Sequence, residues 1–266
     1  YFLSSHGQPL VKSGPIESAS DLRGYDMAAA FDPADLEKVL FLQDTLGQDG
    51  LVWLDMVDPF QDAWTLRGGM DKLLIDFMEN PNLVHDLGKV LVDYKLSVME
   101  AAHRAGIRSI MMGGDLAGEK TTLMSPDHYR EFVKPCQKQL VDAAHALGMK
   151  IIKHSDGNVW PILEDFYEVG FDAYNPIQPQ CMDISDVKAY LKGRMAIIGN
   201  IDCRDLLPEG TPEEVADTVR KTIDIAAPGG GYILSSSNSL HPGCRPENIV
   251  AMIQTAHEYG RKKCRK

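Results

Sequence analysis

The sequence predicts an α/β protein built as a (β/α)8 barrel. Short β-rich runs alternate with longer helical patterns in six successive β-then-α units, and no hairpin signal joins two strands. Parallel strands require such helical crossovers. In addition, nearly every predicted strand ends in a polar cluster. A barrel gathers all its strand ends at one mouth, whereas a doubly wound sheet concentrates function at one crevice, so this distribution favours the barrel.

Apolar periodicity and turn residues locate the individual elements. The predicted strands cover residues 51–55, 107–112, 150–153, 172–176, 195–201 and 232–235. Helices are predicted near residues 34–46, 70–79, 184–192, 212–226 and 246–260. A further helix starts near residue 82, another runs from 125 to about 147 with a break at Pro135, and another follows Gly157 and ends at 168. Thr211 and Glu214 have the spacing of a capping box at the start of one helix.

The amino-terminal part of the chain does not supply the first barrel strands. Residues 1–48 contain a short extended start and one helix, so the first one or two strands are missing or irregular. We therefore divide the chain into an N-terminal segment, 1–48, and a barrel domain, 49–266. The sequence starts without an initiator methionine, which is compatible with a trimmed or partial product. A sheet edge without a neighbouring strand would be covered by a second chain or segment. Whether the protein forms a homo-oligomer is therefore left open by the sequence.

Composition excludes several classes of protein. The 266 residues include 38 acidic and 27 basic side chains, which gives a net charge of −11 and argues against a nucleic-acid partner. The mean hydropathy is −0.20, and no apolar run approaches the ~20 residues of a membrane helix. The five cysteines form no CxxC pair, and the chain starts without a signal peptide. These features predict a cytoplasmic enzyme rather than a disulfide-bonded secreted one.

The end of the strand at 150–153 carries the most informative pair of side chains, His154 and Asp156. Residues two apart on a strand point to the same side. An imidazole and a carboxylate placed together can bind one divalent ion, for which Zn²⁺ is the best match. They can equally act as general base and partner, or form a structural hydrogen bond at the strand end. Spacing alone leaves these three interpretations open.

Further candidate ligands follow other strands. Asp115 and Glu119 form an acidic cluster after the preceding strand, where adjacent parallel strands would bring them near His154. We predict Asp115 as a catalytic residue and Glu119 as a metal ligand, with a solvated loop carboxylate as the alternative. Cys244 could add a thiolate ligand, although a single cysteine is more often unliganded.

Polar residues at the remaining strand ends are predicted to bind substrate. Asp202 has the alternative of capping the short helix that follows it. The predicted substrate-binding residues are Asp55, Asn175, Asn200, Asp202 and Asn238.

Five segments together resemble the uroporphyrinogen decarboxylase superfamily, over roughly residues 45–262. They are SPDHYREFVKP at 125–135, HSDGN at 154–158, NPIQP at 175–179, GNID at 199–202 and PENI at 246–249. The resemblance implies a (β/α)8 barrel and an aligned region that starts near the third strand. It also implies one of two chemistries: cofactor-free decarboxylation of uroporphyrinogen, or zinc-dependent methyl transfer to or from a corrinoid protein.

The residues at the matching positions favour methyl transfer. The Arg-rich N-terminal motif of the decarboxylases and their Gly-His-Gly stretch are absent here. The thiol-methylating members carry His-x-Cys and a distant Cys as zinc ligands. In this chain His154 matches the histidine, whereas Asp156 and Asn238 stand at the cysteine positions. A harder, oxygen-rich site would act as a Lewis acid on an ether or phenolic oxygen.

From this resemblance we predict a corrinoid-dependent methyltransferase of the demethylating type. Its partners would be a small, methoxylated methyl donor and a corrinoid protein, and its metal would be zinc, held by His154, Asp156, Glu119 and Cys244. His154, Asp156 and Asp115 are the predicted catalytic residues. The alternatives are a cofactor-free decarboxylase that uses His154 and Asp156 as acid and base, and a non-enzymatic barrel remnant that acts as a binding module.

Overall fold

The structure is a computed structural model that describes residues 2–3, 9–10, 13–23, 27, 32–47 and 50–264. Two short strands pair antiparallel near the start, β1 (Phe2–Leu3) and β2 (Pro9–Leu10). The six strands that follow are β3 (Leu54–Val57), β4 (Ser109–Gly113), β5 (Lys150–His154), β6 (Ala173–Asn175), β7 (Ala196–Ile201) and β8 (Tyr232–Ser236).

Helices separate these strands along the chain. They are α1 (Ala19–Leu22), α2 (Glu37–Leu46), α3 (Pro59–Arg67), α4 (Met70–Glu79), α5 (Pro81–Arg104), α6 (Pro126–His128), α7 (Lys134–Ala146), α8 (Leu163–Val169), α9 (Ile184–Leu191), α10 (Leu206–Glu209), α11 (Pro212–Ala226) and α12 (Pro246–Cys264). No helix in the described ranges is both long and apolar enough to cross a membrane.

The strand order confirms the predicted α/β class. In the described residues, β3 to β8 form one parallel sheet of six strands whose order follows the order of the chain. A doubly wound sheet reverses its strand order at a switch point, and this sheet contains no reversal. Successive neighbouring strands, each followed by helix, are the arrangement of a (β/α) barrel. No strand precedes β3 in this sheet within the part of the chain described, in line with the predicted lack of the first strands.

Most predicted element boundaries agree with the structure to within about three residues. The predictions for α4 and α11 match at both ends, whereas the first sheet strand begins at Leu54 rather than 51. The break predicted at Pro135 is also confirmed. A π-helical turn, Tyr129–Val133, precedes α7, and Pro135 lies in the first turn of that helix, where its missing N–H costs no hydrogen bond.

The chain divides into two compact units. Unit 1 comprises residues 1–114, 124–152 and 168–171, and unit 2 comprises residues 115–123, 153–167 and 172–266. The proposed boundary between residues 48 and 49 falls at positions outside the described residues and stays a prediction.

Unit 1 contains three fully buried polar side chains that are linked by hydrogen bonds, and the first of them directly follows β3. The Asp58 carboxylate caps α3 by accepting from the Phe60 N–H at 2.9 Å. Gln137 of α7 donates to Asp58 at 2.7 Å and accepts from the Tyr129 hydroxyl at 2.6 Å. All three side chains are completely buried. Hydrogen bonds in such a low-dielectric site stabilise one specific arrangement of strand end and helix.

Unit 2 contains the end of β5, the strands β6 to β8 and the helices α9 to α12. Its apolar cluster includes Leu207, Val215 and Val219, which are completely buried. The capping box predicted at Thr211 and Glu214 is present, with the Glu214 N–H donating to Thr211 Oγ1 at 3.3 Å. Asn248 of α12 donates to the carbonyls of Leu207 and Gly210 and so holds α10. This frame carries the polar strand ends.

The buried, hydrogen-bonded side chains in unit 1 give a stability prediction. Gln137→Met keeps the volume but removes one hydrogen bond to a carboxylate and one from Tyr129, so we expect the free energy of unfolding to fall by about 2–4 kcal/mol. Tyr129→Phe, which removes the hydroxyl bond to Gln137 but keeps the Gln137–Asp58 bond, should cost only about 1 kcal/mol. Denaturant unfolding measures both values. Equal costs for the two variants would contradict a role for the Gln137–Asp58 bond.

Candidate metal centre

Three potential metal ligands converge in unit 2. Among the described residues, Asp115, His154 and Asp156 are the group whose ligand atoms all lie within 4.8 Å of one another. His154 Nε2 is 3.9 Å from Asp115 Oδ1 and 3.9 Å from Asp156 Oδ1. Asp115 follows β4, His154 ends β5 and Asp156 comes two residues later. The predicted same-side projection of His154 and Asp156 is thus observed.

Asn175, at the end of β6, orients the imidazole. Its Oδ1 lies 2.6 Å from His154 Nδ1, and its amide nitrogen donates to the carbonyl of Ile198 at 3.3 Å. A carbonyl can only accept, so this second bond establishes which end of the amide faces the histidine. Nδ1 must therefore carry a proton and donate it to Asn175. Nε2 is the nitrogen that faces the two carboxylates, and there it needs a proton or a cation as partner.

Backbone and side-chain donors hold the carboxylates. The Asp156 N–H donates to Asp115 Oδ1 at 2.9 Å, and Asn238 Nδ2 donates to Asp156 Oδ2. Asp156 Oδ1, the oxygen nearest His154 Nε2, is buried and has no hydrogen-bond partner. A buried carboxylate oxygen without a partner is costly, because desolvation is not repaid. This oxygen is aimed at the space that a cation would share with Nε2.

The electrostatics of the cluster agree with that geometry. Burial, and after it the neighbouring Asp115 carboxylate, raises the pKa of Asp156 to about 6. His154 and the hydrogen bond from Asn238 act in the opposite direction. Burial and a like charge thus outweigh the favourable contacts of the ionised form. Positive charge in the cluster would reverse that balance.

The intervening residues lock the segment that carries the ligands. Ser155 is completely buried, accepts from the Leu116 N–H at 2.9 Å and donates its own N–H to the Asn175 carbonyl at 3.0 Å. Gly157 has φ +84°, and a Cβ there would lie 2.6 Å from the carbonyl oxygens of Ala117 and Gly118. Only glycine fits this approach, so the loop after β4 can close against the segment after β5.

These residues fit a divalent cation. One imidazole nitrogen and two carboxylate oxygens are a suitable donor set for Zn²⁺ or a similar borderline metal. The imidazole has its second nitrogen bonded to an amide, as metal-binding histidines usually do. The unpartnered oxygen of Asp156 would gain a partner from the ion. Asp115, which we predicted as catalytic, is thus the third ligand candidate.

Two predicted metal ligands lie elsewhere. Glu119 is exposed and pairs with Arg204, 3.2 Å away, because the hairpin that carries it turns towards the loop after β7. Cys244 is buried in the apolar cluster of unit 2, and its thiol donates to the carbonyl of Cys203 at 3.7 Å. Neither belongs to the ligand group of the described residues. The geometry therefore favours Asp115 as the third ligand beside His154 and Asp156, and metal binding by Glu119 and Cys244 stays a prediction.

The predicted substrate-binding residues have different surroundings. Asn175 and Asn238 contact the cluster itself. Asn200 is buried and donates to the carbonyl of Ile177. Asp202 accepts from the Arg204 N–H at 2.8 Å and from the N–H of Leu206, the first residue of α10, at 3.3 Å, although the N-cap position of that helix is Asp205. Asp55 is exposed on β3 of unit 1.

Sequence reasoning missed Ser155 and Gly157. The Asp156-Gly157 dipeptide is a turn signal, and it could have indicated a left-handed position beside the ligands. Nothing in the local sequence distinguishes Ser155 from an ordinary strand-end serine. Its importance depends on partners far along the chain, at Leu116 and Asn175.

Comparison with known proteins identifies relatives with two kinds of name. A uroporphyrinogen decarboxylase of Azoarcus sp. is 27% identical over 187 residues, covering 68% of this chain and 49% of that protein. A methylcobamide:CoM methyltransferase (MtbA) of Methanosarcina acetivorans is 25% identical over 259 residues, covering 95% of this chain and 72% of that protein. The chain spans about half the length of the first of these relatives.

A solved structure shares the fold. The structure of a methyltransferase from Methanosarcina mazei superposes with a TM-score of 0.75 at 20% identity, covering 96% of this chain and 71% of that one. The family model for uroporphyrinogen decarboxylase (URO-D) matches residues 3–259, which is nearly the whole chain. The chain therefore belongs to the uroporphyrinogen decarboxylase family.

Proposed function

We propose that this protein is a corrinoid-dependent methyltransferase in which Asp115, His154 and Asp156 hold a divalent metal ion, with zinc as the expected metal. The observation that carries the proposal is the pair of atoms His154 Nε2 and Asp156 Oδ1, which are 3.9 Å apart. The carboxylate oxygen is buried without a hydrogen-bond partner, and a shared cation would satisfy both atoms.

The protein's own residues prepare the site for an oxygen-bearing substrate. Asn175 keeps the Nε2 lone pair of His154 directed at the carboxylates, and Asn238 holds one oxygen of Asp156 so that the other faces the cluster. Bound there, a divalent cation would polarise the oxygen of a methyl ether and make it a better leaving group. Asp115 is half-exposed and would form the solvent-facing side of the ligand set.

The substrate proposed is a small methoxylated molecule. Oxygen and nitrogen ligands without thiolate form a harder site than the His-x-Cys pattern of the thiol-methylating relatives, and a harder site suits an ether or phenolic oxygen. The methyl acceptor proposed is a corrinoid protein. This partner is supported by the relatives named methylcobamide:CoM methyltransferase, two of which align with 95% of this chain.

The charge of the cluster argues against the alternative, a cofactor-free decarboxylase of uroporphyrinogen. Two carboxylates, Asp115 and Asp156, border the site. A substrate with many carboxylates would meet like charge there, at about 1 kcal/mol per close pair even in water. The relatives named uroporphyrinogen decarboxylase keep this alternative testable, since turnover that survives chelation would favour it.

Metal binding tests the ligand set. We expect the purified chain to bind one equivalent of Zn²⁺ or Co²⁺, and we expect His154→Ala and Asp156→Asn each to lose it, because each removes one of three protein ligands. Elemental analysis and calorimetric titration measure the stoichiometry. Glu119→Gln is the matched control and should bind like the parent protein. Failure of the parent protein to bind stoichiometric metal would rule out the metal-dependent function.

The raised pKa of Asp156 predicts that Asp156→Asn, which should lose metal binding, stabilises the metal-free protein. The folded-state pKa is about 6, above the ordinary 3.8, so the ionised carboxylate destabilises the metal-free protein above pH 6. This cost disappears as the pH falls from 6 to 3.8. Asp156→Asn should therefore raise Tm well above pH 6, and the gain should shrink as the pH falls. Thermal melting across pH measures it, with the exposed Asp127→Asn as control; a Tm that falls at every pH would contradict it.

Asn175 should act as a positioning residue for His154. Asn175→Ala leaves all three ligands in place but removes the bond to Nδ1, so we expect metal affinity to fall by about 10–100-fold. Asn200→Ala removes a buried amide bond to a carbonyl instead, and it should lower stability without changing metal affinity. Competition titrations of both variants separate the two effects. Equal affinities for both variants would contradict the positioning role.

A further inference from the structure

Arg204 lies in the loop after β7 and pairs with Glu119, which belongs to the hairpin that follows the ligand candidate Asp115. Asp202 fixes its backbone by accepting the Arg204 N–H at 2.8 Å. The guanidinium contacts Glu119 Oε1 at 3.2 Å and Asp205 Oδ2 at 3.0 Å. The arginine side chain is 53% exposed, and the two carboxylates are 70% and 64% exposed. Such solvent-exposed pairs contribute at most about 1 kcal/mol, so exchange of partner costs little.

The loop that carries Glu119 is packed directly on the ligand segment. Residues 116–123 form a small hairpin with a bridge between Ala117 and Thr122. The Asn158 N–H donates to the Gly118 carbonyl at 2.8 Å, and Gly157 closes against the same hairpin. Glu119 follows Gly118, so the Glu119–Arg204 pair is connected to Asp156 through one hairpin turn.

We infer that Arg204 recognises a carboxylate of the small-molecule substrate, with the Glu119 carboxylate occupying its place in the substrate-free protein. The planar guanidinium binds carboxylates through paired N–H donors, and it keeps its charge at every physiological pH. A divalent cation held by Asp115 and Asp156 would offset their negative charge, and the guanidinium of Arg204, which contacts the hairpin that follows Asp115, would supply a further fixed positive charge for an anionic substrate. This inference rests on the proposed function and narrows its substrate to methoxylated carboxylic acids.

Two matched probes test the inference, 3-methoxybenzoate and its uncharged amide, 3-methoxybenzamide. Calorimetry on the full chain with one equivalent of Zn²⁺ should give at least about tenfold tighter binding of the benzoate, the usual effect of a charge-assisted hydrogen bond. Arg204→Gln should remove this preference. Glu119→Gln should tighten benzoate binding and leave benzamide binding unchanged, because it removes the resident competitor.

Arg220→Gln is the matched control, since Arg220 also pairs with an exposed carboxylate, that of Asp217, on α11. It should keep the preference of the parent protein. Equal binding of the two probes by the parent protein, binding of neither, or a preference that survives in Arg204→Gln would each overturn the inference. The metal stoichiometry is measured separately, by titration of the metal-free protein with Zn²⁺, and does not depend on these outcomes. A failure of the inference is therefore distinguishable from a failure of the metal-dependent function.

Discussion

The hydrogen bond between His154 Nδ1 and Asn175 Oδ1 is the interaction on which the candidate site depends. It assigns the proton to one ring nitrogen and directs the other at two carboxylates. The remaining contacts extend this constraint, since Ser155 links the ligand segment to the strand end of Asn175, and Asn238 holds the far side of Asp156. The site is therefore built from short polar residues at successive strand ends. Hydrogen bonds among these residues define its geometry, but its negative charge is not balanced without a cation.

This unbalanced charge indicates a functional site rather than a structural one. A structural His–Asp pair at a strand end would place a donor against each carboxylate oxygen, whereas Asp156 Oδ1 is buried with none. Proteins commonly retain such a locally unfavourable group where ligand binding offsets its free-energy cost. Family membership leaves two chemistries open, because relatives named for decarboxylation and for methyl transfer align at similar identity. The acidic cluster is what favours metal-assisted methyl transfer between them.

Much of this was predictable from the sequence where periodicity or spacing carries the information. Strand and helix positions followed from apolar patterns, and the convergence of His154 with Asp156 followed from the two-residue repeat of a strand. Glu119 and Cys244 were predicted as metal ligands because both follow strands. In the structure Glu119 lies on a hairpin and pairs with Arg204, whereas Cys244 is buried in the apolar cluster of unit 2. Loop paths depend on contacts distant in sequence, which local patterns do not encode. The role of Asn175 was underestimated for the same reason, since it acts on a side chain 21 residues away.

The most direct measurement is a crystal structure of the zinc-loaded protein with anomalous data collected at the zinc edge. We expect one anomalous peak, which marks a zinc ion bound by His154 Nε2 and by carboxylate oxygens of Asp115 and Asp156, with Asn175 still hydrogen-bonded to Nδ1. A peak elsewhere in the protein, or an imidazole turned away from the two carboxylates in the presence of zinc, would contradict it.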